Sequence, residues 1–520
     1  MKTIPRSGYY GHFCDFSGYS CAHTPLRRDE EMIFEKFREV ANQHWNQPAI
    51  IDNEEVFTFG RLLEEVGRHR AWLETALDPR PGDVIAATVP NGWQFAATFL
   101  ALCELRVVLM PCNPQWRAAE LRQLHARIGF RAVICERQFR GEWENTGAIA
   151  EQRVLAIEDA LKCAAASSAT IQASASAEDP VLYMATSGTT GTPRIVPLRH
   201  RNLLASIGNS ARAMGIEAGD RFLSVVPFHH LHGFNNCMLM PLLKGASLVM
   251  MRRFVPEEYA ELAARDSVNV LMGSPLIFSH LLDGVSDASL LGNVRLSVSA
   301  GARLPTALWQ NWKQRFGVAL FPWYGTTETS GISIAKAPRQ PSSELGGDFV
   351  GVRLPSVEVR CLDPEGNDLG LGRLGDVAVR SAAMMSGYLG EPDLNRRVFQ
   401  DGFFRTGDLG YLEADGGIFL TGRIGRLINM GGVKIDPVEV ERAVEALPGV
   451  SAVHVDAVPG GRGGEVIRAR VVVRPGLRLT RVDVIKQCRR MLGEYKLPRV
   501  IEFVDSLPAA LTGKTPRSEP

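Results

Sequence analysis

The chain has 520 residues, several times what one small hydrophobic core needs, so two or more packed units are expected and a single small binding module is excluded. Hydrophobic residues make up 45% and charged residues 22%, with 50 glycines and 30 prolines; this is ordinary globular usage and excludes a chain disordered throughout. Lys+Arg 58 against Asp+Glu 57 leave a formal net charge of +1, so no whole-chain field draws nucleic acid or an anionic membrane, and any polyanion site must be local.

Residues 1–29 form an aromatic, glycine-rich leader. Its His12, Cys14, Cys21 and His23 could hold zinc, although their spacing matches no common site. The leader also lacks the apolar centre of a secretory signal. The nine cysteines of the chain are odd in number, scattered and free of C-x-x-C, which speaks against a disulfide framework or zinc ribbon and for a reducing, cytoplasmic location. The most apolar run, Phe95 to Met110, is broken by Glu104 and Arg106, so no membrane-spanning helix is expected.

The globular fold is expected to start near residue 30, with helical patterns on either side of a strand pair in PAIIDNEEVFTF. From Asp83 the apolar runs VIAATVP, RVVLMPC, RAVICE and RVLAIE alternate with helical stretches, the βαβ rhythm of a parallel sheet. Residues 163–178 read as a small-residue surface connection. A second α/β system follows in FLSVVPF, ASLVMM, VNVLMGS and VRLSVSAG. From Val350 to Leu420 helices give way to short strands with Gly-Asp and Asp-Gly turns, predicting a small β-barrel or meander. Beyond Gly422 a helix over 436–446, two paired strands and a helix over 480–492 are long enough for a separate α+β domain. The fold class is thus α/β: a large N-terminal domain over 30–422, made of two α/β subdomains and a small barrel, then a small domain over 423–520.

The strongest local feature is Val181 to Val196, in which a strand, a run of glycines and hydroxyls, and a second strand follow each other. Thr186, Ser187, Gly188, Thr189, Thr190 and Gly191 would turn backbone N–H groups and hydroxyls toward phosphate oxygens, with Arg194 supplying charge. It is not a Walker A loop, because no Gly-Lys-Ser/Thr follows the glycines; a plain Ser/Thr-rich hairpin is the structural alternative. Phe228 to Phe234 carries three histidines in four positions, but no carboxylate or cysteine sits at a zinc-site spacing.

Thr186-Ser-Gly-Thr-Thr-Gly-Thr-Pro-Arg194 resembles the phosphate-binding signature of the ANL superfamily of adenylate-forming enzymes, which comprises acyl-CoA synthetases, peptide-synthetase adenylation domains and beetle luciferases. Tyr324-Gly325-Thr326-Thr327-Glu328, Phe404 to Asp408, Gly422-Arg423 and Thr512-Gly-Lys514 match further motifs of that family in its order, over about residues 30–514. The resemblance implies ATP-dependent conversion of a carboxylic acid to an acyl-adenylate and transfer to coenzyme A or to the phosphopantetheine of a separate acyl carrier protein. A luciferase-like oxygenase or a silent nucleotide binder remain as alternatives.

By the same resemblance Glu328 binds Mg²⁺, a role that suits a hard carboxylate oxygen beside a triphosphate. Thr327 lies at the α-phosphate, Tyr324 stacks on adenine beside Gly301 and Ala302, and Asp408 and Arg423 hold the ribose. Lys434 lies near the phosphate, and Lys514 stabilises charge during adenylation. His230 stands at the acyl pocket, for which Asn235, Met238, Met272, Gly273, Ser330 and Ile332 are the further candidates. The 423–520 domain is implied to rotate about a hinge near Gly425, and Gly432 to line the thiol's tunnel. Two departures stand out: Gly425 replaces the family's usual Asp or Lys, and Arg194 its usual lysine, which keeps charge but alters geometry. The segment His232 to Asn236 carries no acid to pair an α-ammonium, so an α-amino acid substrate is disfavoured.

Overall fold

The computed structural model describes residues 31–505 and 507, apart from 54, 115, 117, 146, 148, 151–152, 165–175, 187–192, 303, 305, 343–344, 346, 424–427, 431–432, 436, 461–463 and 475. The leader with its cysteine–histidine pairs lies outside the described residues, as does most of the 163–178 connection. The first elements follow their periodicity. Ile33–Gln43 buries Ile33, Phe34, Phe37, Val40 and Ala41 along one face, the stripe an amphipathic helix turns to a core. Phe59–Leu77 starts where the Thr58 hydroxyl accepts from the Arg61 amide at 3.1 Å, which satisfies one of the helix's open donors.

The first sheet has six strands in the order Val154–Ala156, Ala132–Cys135, Val84–Thr88, Val108–Pro111, Pro180–Thr186, Arg194–Arg199, all parallel except the last. Every residue of its three central apolar runs is buried, as covering both faces of a parallel sheet requires. The second sheet runs parallel through Leu320–Thr326, Leu296–Ala300, Val270–Gly273, Arg221–Ser224, Ser247–Met250 and Pro48–Asp52, and ends on the antiparallel Glu55–Thr58. The β-rich stretch joins this sheet in one hydrogen-bonded path beyond Leu320–Thr326, through Ser330–Ile334, Asp348–Arg353, Gly417–Arg423, Phe403–Leu412, Gly375–Ser381 and Val357–Leu362. It also holds a short helix, Pro392–Val398, which the turn residues around it concealed.

After Arg423 the chain builds sheets of its own. Ile428–Met430 and Val433–Ile435 form a hairpin, and Val450–Gly460, Gly464–Val473 and Val500–Phe503 a three-stranded sheet. Helices Pro437–Glu445 and Arg481–Met491 cover a separate apolar cluster that includes Ile428, Ile435, Val440, Val455, Ile467, Val471 and Val484. The hairpin and the last strand were not expected from sequence, because three- and four-residue strands leave almost no periodic signal. No described helix is long and apolar enough to cross a membrane.

Candidate active site

A cavity of about 770 Å³ opens where the two large sheets and the C-terminal unit meet. One end is built on the strand Leu320–Thr326. The Tyr324 hydroxyl donates to Asp408 Oδ2 at 2.7 Å. Asp408 is itself buried and lies opposite Arg423 across the antiparallel pair. Its amide donates to the Thr406 hydroxyl at 3.1 Å, and that hydroxyl donates to the Val377 carbonyl at 2.8 Å. The Asp408 main chain is thereby fixed, and Tyr324 donates to the carboxylate that it carries. Gly325 is required here, since a Cβ would collide with the Ser330 carbonyl of the facing strand.

The turn after this strand is locked by its hydroxyls. Thr326 N–H donates to Thr329 Oγ1 at 3.2 Å and Thr329 N–H returns to Thr326 Oγ1 at 3.1 Å. Thr327 and Glu328 are thereby presented to the cavity. Glu328 Oε1 accepts from the Tyr388 hydroxyl at 2.8 Å, and the Arg194 guanidinium lies 5.5 Å from the Tyr388 ring centre. Burial first, and then the neighbouring Glu328 charge, raise the Tyr388 phenol above its ordinary pKa, so it stays a donor to the carboxylate. Thr186 and Arg194, the two ends of the phosphate-loop motif, both line the cavity. Ser187, Gly188, Thr189, Thr190 and Gly191 lie outside the described residues.

The other end is formed by Leu231 to Asn236 and the helix His200–Met214. Residues His232–Leu239 wind as a π-helix, a rare form that concentrates at functional sites. His229, His230, Asn235 and Ser330 line the cavity together with Ser206 and Asn236. Burial lowers the His230 pKa to about 4, so its ring is neutral near pH 7. Four of the acyl-pocket candidates are not cavity residues. Met238, Met272 and Ile332 are fully buried in the main core, and Gly273 packs on Phe278 and Ile277. Inward-facing strand and helix positions look alike in sequence whether they face a cavity or a core.

Gly301 and Ala302 line the cavity, with Gly301 at φ 85°. The Gly301 carbonyl accepts from the Asn429 side chain at 3.2 Å, so the Ile428–Ile435 hairpin of the C-terminal unit stands at the cavity mouth. Lys434 pairs with Asn429 inside that hairpin, and Arg423 ends its strand opposite Asp408. Lys514, Gly425 and Gly432 lie outside the described residues.

Several residues of this region carried no sequence signal. Arg127 donates to the Pro193 carbonyl at 2.6 Å, to the Leu389 carbonyl at 3.1 Å and to Glu391 at 2.6 Å, which ties the exit of the phosphate loop to the segment bearing Tyr388. Trp116 donates to the Tyr495 hydroxyl at 2.9 Å, and Lys496 reaches Glu120 at 2.7 Å and Glu439 at 2.5 Å. Each of these pairs joins residues far apart in the chain, so no local pattern could show them.

The chain matches the family model for AMP-binding enzymes over residues 37–389 and the model for the AMP-binding enzyme C-terminal domain over residues 439–514. It belongs to the AMP-binding enzyme family, within the ANL superfamily of adenylate-forming enzymes. It is 32% identical to the sulfoacetate–CoA ligase of Cupriavidus necator, over 90% of this chain and 92% of that one. It is 29% identical to a feruloyl-CoA synthase of an Amycolatopsis species, over 89% and 93%. Among solved structures, a double mutant of o-succinylbenzoate CoA synthetase from Bacillus subtilis superposes with a TM-score of 0.83 at 24% identity, covering 92% of this chain and 97% of that one. The protein is an AMP-forming acid–thiol ligase: it activates a carboxylic acid with ATP and passes the acyl group to coenzyme A.

Proposed function

We propose that this ligase acts on a fatty or aryl acid without an α-amino group, and that the two ends of the cavity divide the work. The carrying observation is the contrast between them. Asp408 and Glu328 supply carboxylates where ribose and triphosphate would lie, whereas the described cavity residues His229 to Asn236 and Ser206 are all uncharged side chains at neutral pH. A buried ammonium facing only neutral groups would be costly.

In this reading Asp408 and Arg423 hold the ribose hydroxyls, and Tyr324, fixed by Asp408, stacks on the base beside Gly301 and Ala302. Thr186 to Gly191, Arg194 and Lys434 face the phosphates, with Thr327 at the α-phosphate. Glu328 is suited to Mg²⁺. Among the described residues no group of three or more acidic, His or Cys side chains could enclose a metal, and one carboxylate completed by substrate phosphates is the usual Mg²⁺ arrangement. The ion would neutralise triphosphate charge. Tyr388 holds the Glu328 carboxylate in place for it.

A carboxylate oxygen of the acid attacks the α-phosphorus, the bond to the β-phosphate bridging oxygen breaks, and pyrophosphate leaves. Lys514 then serves this half-reaction by meeting charge on the α-phosphate and the acid. In the second half-reaction the thiolate sulfur attacks the acyl carbon and AMP departs with the former carboxylate oxygen. The unit over 423–520 rotates about Gly425 between the halves, and Gly432, which has no side chain, leaves room for the pantetheine arm. The test is pyrophosphate release across a panel of fatty, aryl and amino acids, with and without coenzyme A or a phosphopantetheinylated carrier protein. Selective turnover of an ordinary α-amino acid contradicts the substrate class. The seven free cysteines among the described residues suit a reducing cytoplasm, the location proposed for the enzyme.

A further inference from the structure

The phosphate end of the cavity is assembled from segments far apart in the chain, and one side chain that does not line the cavity bonds to two of them. Arg127 sits in the last turn of the helix Ala118–Ile128. Its Nη1 donates to the Pro193 carbonyl at 2.6 Å, directly before Arg194. Its Nη2 donates to the Leu389 carbonyl at 3.1 Å, directly after Tyr388, and to Glu391 Oε1 at 2.6 Å. The same two segments touch each other: the Leu389 amide donates to the Ile195 carbonyl at 3.0 Å, and Leu389 packs on the apolar cluster that holds Leu121, Leu124 and Ile195.

The neighbours of these two carbonyls are the residues that reach the cavity. Arg194 and Tyr388 both line it, the Arg194 guanidinium lies 5.5 Å from the Tyr388 ring centre, and the Tyr388 hydroxyl donates to Glu328 at 2.8 Å. A guanidinium is a rigid planar fork, so donors on one frame fix the spacing of the carbonyls that they bond. A basic residue in the last turn of a helix also suits the helix dipole, and a partly exposed ion pair such as that with Glu391 adds little stability. Neither role needs a fork that reaches two other segments.

We infer that Arg127 is a positioning residue for the adenylation half-reaction: by bonding the Pro193 and Leu389 carbonyls with one guanidinium, it sets Arg194 and the Tyr388–Glu328 pair at the separation that the triphosphate and its Mg²⁺ require. The inference rests on the proposed placement of the triphosphate between Arg194 and Glu328. Thioester formation starts from an adenylate already made, after the β- and γ-phosphates have left. Loosening the fork therefore harms the first half-reaction and spares the second.

The experiment compares the full-length enzyme with Arg127→Met, Arg127→Lys and Glu391→Gln, using the most active acid of the panel above. In Arg127→Met, kcat/KM for Mg-ATP in pyrophosphate release is expected to fall about 10- to 100-fold, the scale of an ångström-sized misplacement, while the acid's KM and the conversion of a supplied acyl-adenylate to its coenzyme A thioester stay within about twofold. Arg127→Lys, which keeps the charge without the fork, should recover only part of the loss. Glu391→Gln, which leaves both carbonyl bonds in place, should lose far less than Arg127→Met. The two half-reactions are compared within each variant, so a variant of reduced stability still reports. Equal loss in both halves, or full recovery with lysine, overturns the inference and leaves Arg127 a structural ion pair. An unchanged Mg-ATP dependence in Arg127→Met overturns it as well when Arg194→Ala is impaired in the same assay. If Arg194→Ala is also unchanged, the proposed placement of the triphosphate fails first and the inference falls with it.

Discussion

Lys496 of the C-terminal unit and Glu120 of the N-terminal unit form an ion pair of 2.7 Å across the face between them, and both are at least nine-tenths buried. Glu439 closes on the same ammonium at 2.5 Å, and Trp116 donates to Tyr495 next door. A buried lysine with two carboxylates is stabilising only while all partners are present, and removing one typically costs about 3–5 kcal/mol. This cluster therefore favours the orientation in which the Ile428–Ile435 hairpin stands over the cavity.

The first prediction concerns that pair. Lys496→Met should slow thioester formation from a supplied acyl-adenylate while affecting pyrophosphate release much less, because the orientation it weakens places the hairpin at the cavity. Stopped-flow measurement of each half-reaction checks this. Equal loss in both, with an unchanged melting temperature, would show that the cluster does not bias the orientation.

The second concerns Glu328. Glu328→Ala should abolish most turnover at any acid concentration, whereas Tyr388→Phe should raise the Mg²⁺ concentration needed for half-maximal rate and leave the acid's KM alone. The hydroxyl lost in Tyr388→Phe is the one at 2.8 Å from the carboxylate, and a metal ligand left without its outer partner binds about 10- to 100-fold more weakly. Titration with Mg²⁺ at saturating acid separates the two outcomes.

Much of this was legible in sequence because the signals were local. Apolar runs flanked by turns located the parallel strands, and the motifs Thr186 to Arg194 and Tyr324 to Glu328 picked out residues that line the cavity: Thr186, Arg194 and all of Tyr324 to Glu328. Asp408 was legible from its motif. Its fixing by Tyr324, and the holding of Glu328 by Tyr388, were not, because those contacts span 84 and 60 residues. Met238, Met272 and Ile332 were misplaced for the converse reason: hydrophobicity reveals that a side chain is inside, but not whether a cavity or another side chain faces it. The Ile428–Ile435 hairpin was too short to show.

A third prediction is the pH dependence of stability. Burial lowers the pKa of His69 to about 3 and of His200, His230 and His232 to about 4, against about 6.5 in the unfolded chain. Below 6.5 the unfolded state takes up protons that the folded state refuses, so stability present above that pH is lost as pH falls toward about 4. Urea melts from pH 7.5 to 4.5 should show the fall. His200→Gln, whose amide oxygen can still accept from the Ile33 amide now bonded to Nδ1 at 3.2 Å, should flatten part of it. A flat profile in the unmodified protein would mean these rings are not buried in the neutral form.

The fourth follows from the motif at the chain's end. Lys514→Ala should fail to make adenylate from acid and ATP yet still convert a supplied acyl-adenylate to thioester, and Gly432→Leu should show the reverse. Gly425→Pro, which fixes φ at the hinge, should spare at most one half. If all three variants lose both halves equally while remaining folded, the domains do not alternate.

Activation through an acyl-adenylate is tested most directly by the fate of the acid's own oxygen. An acid labelled with heavy oxygen in its carboxylate is incubated with ATP, Mg²⁺ and coenzyme A, and the products are weighed by mass spectrometry. The expected result is AMP carrying one labelled oxygen, with unlabelled pyrophosphate. Formation of ADP with the label in inorganic phosphate would contradict it.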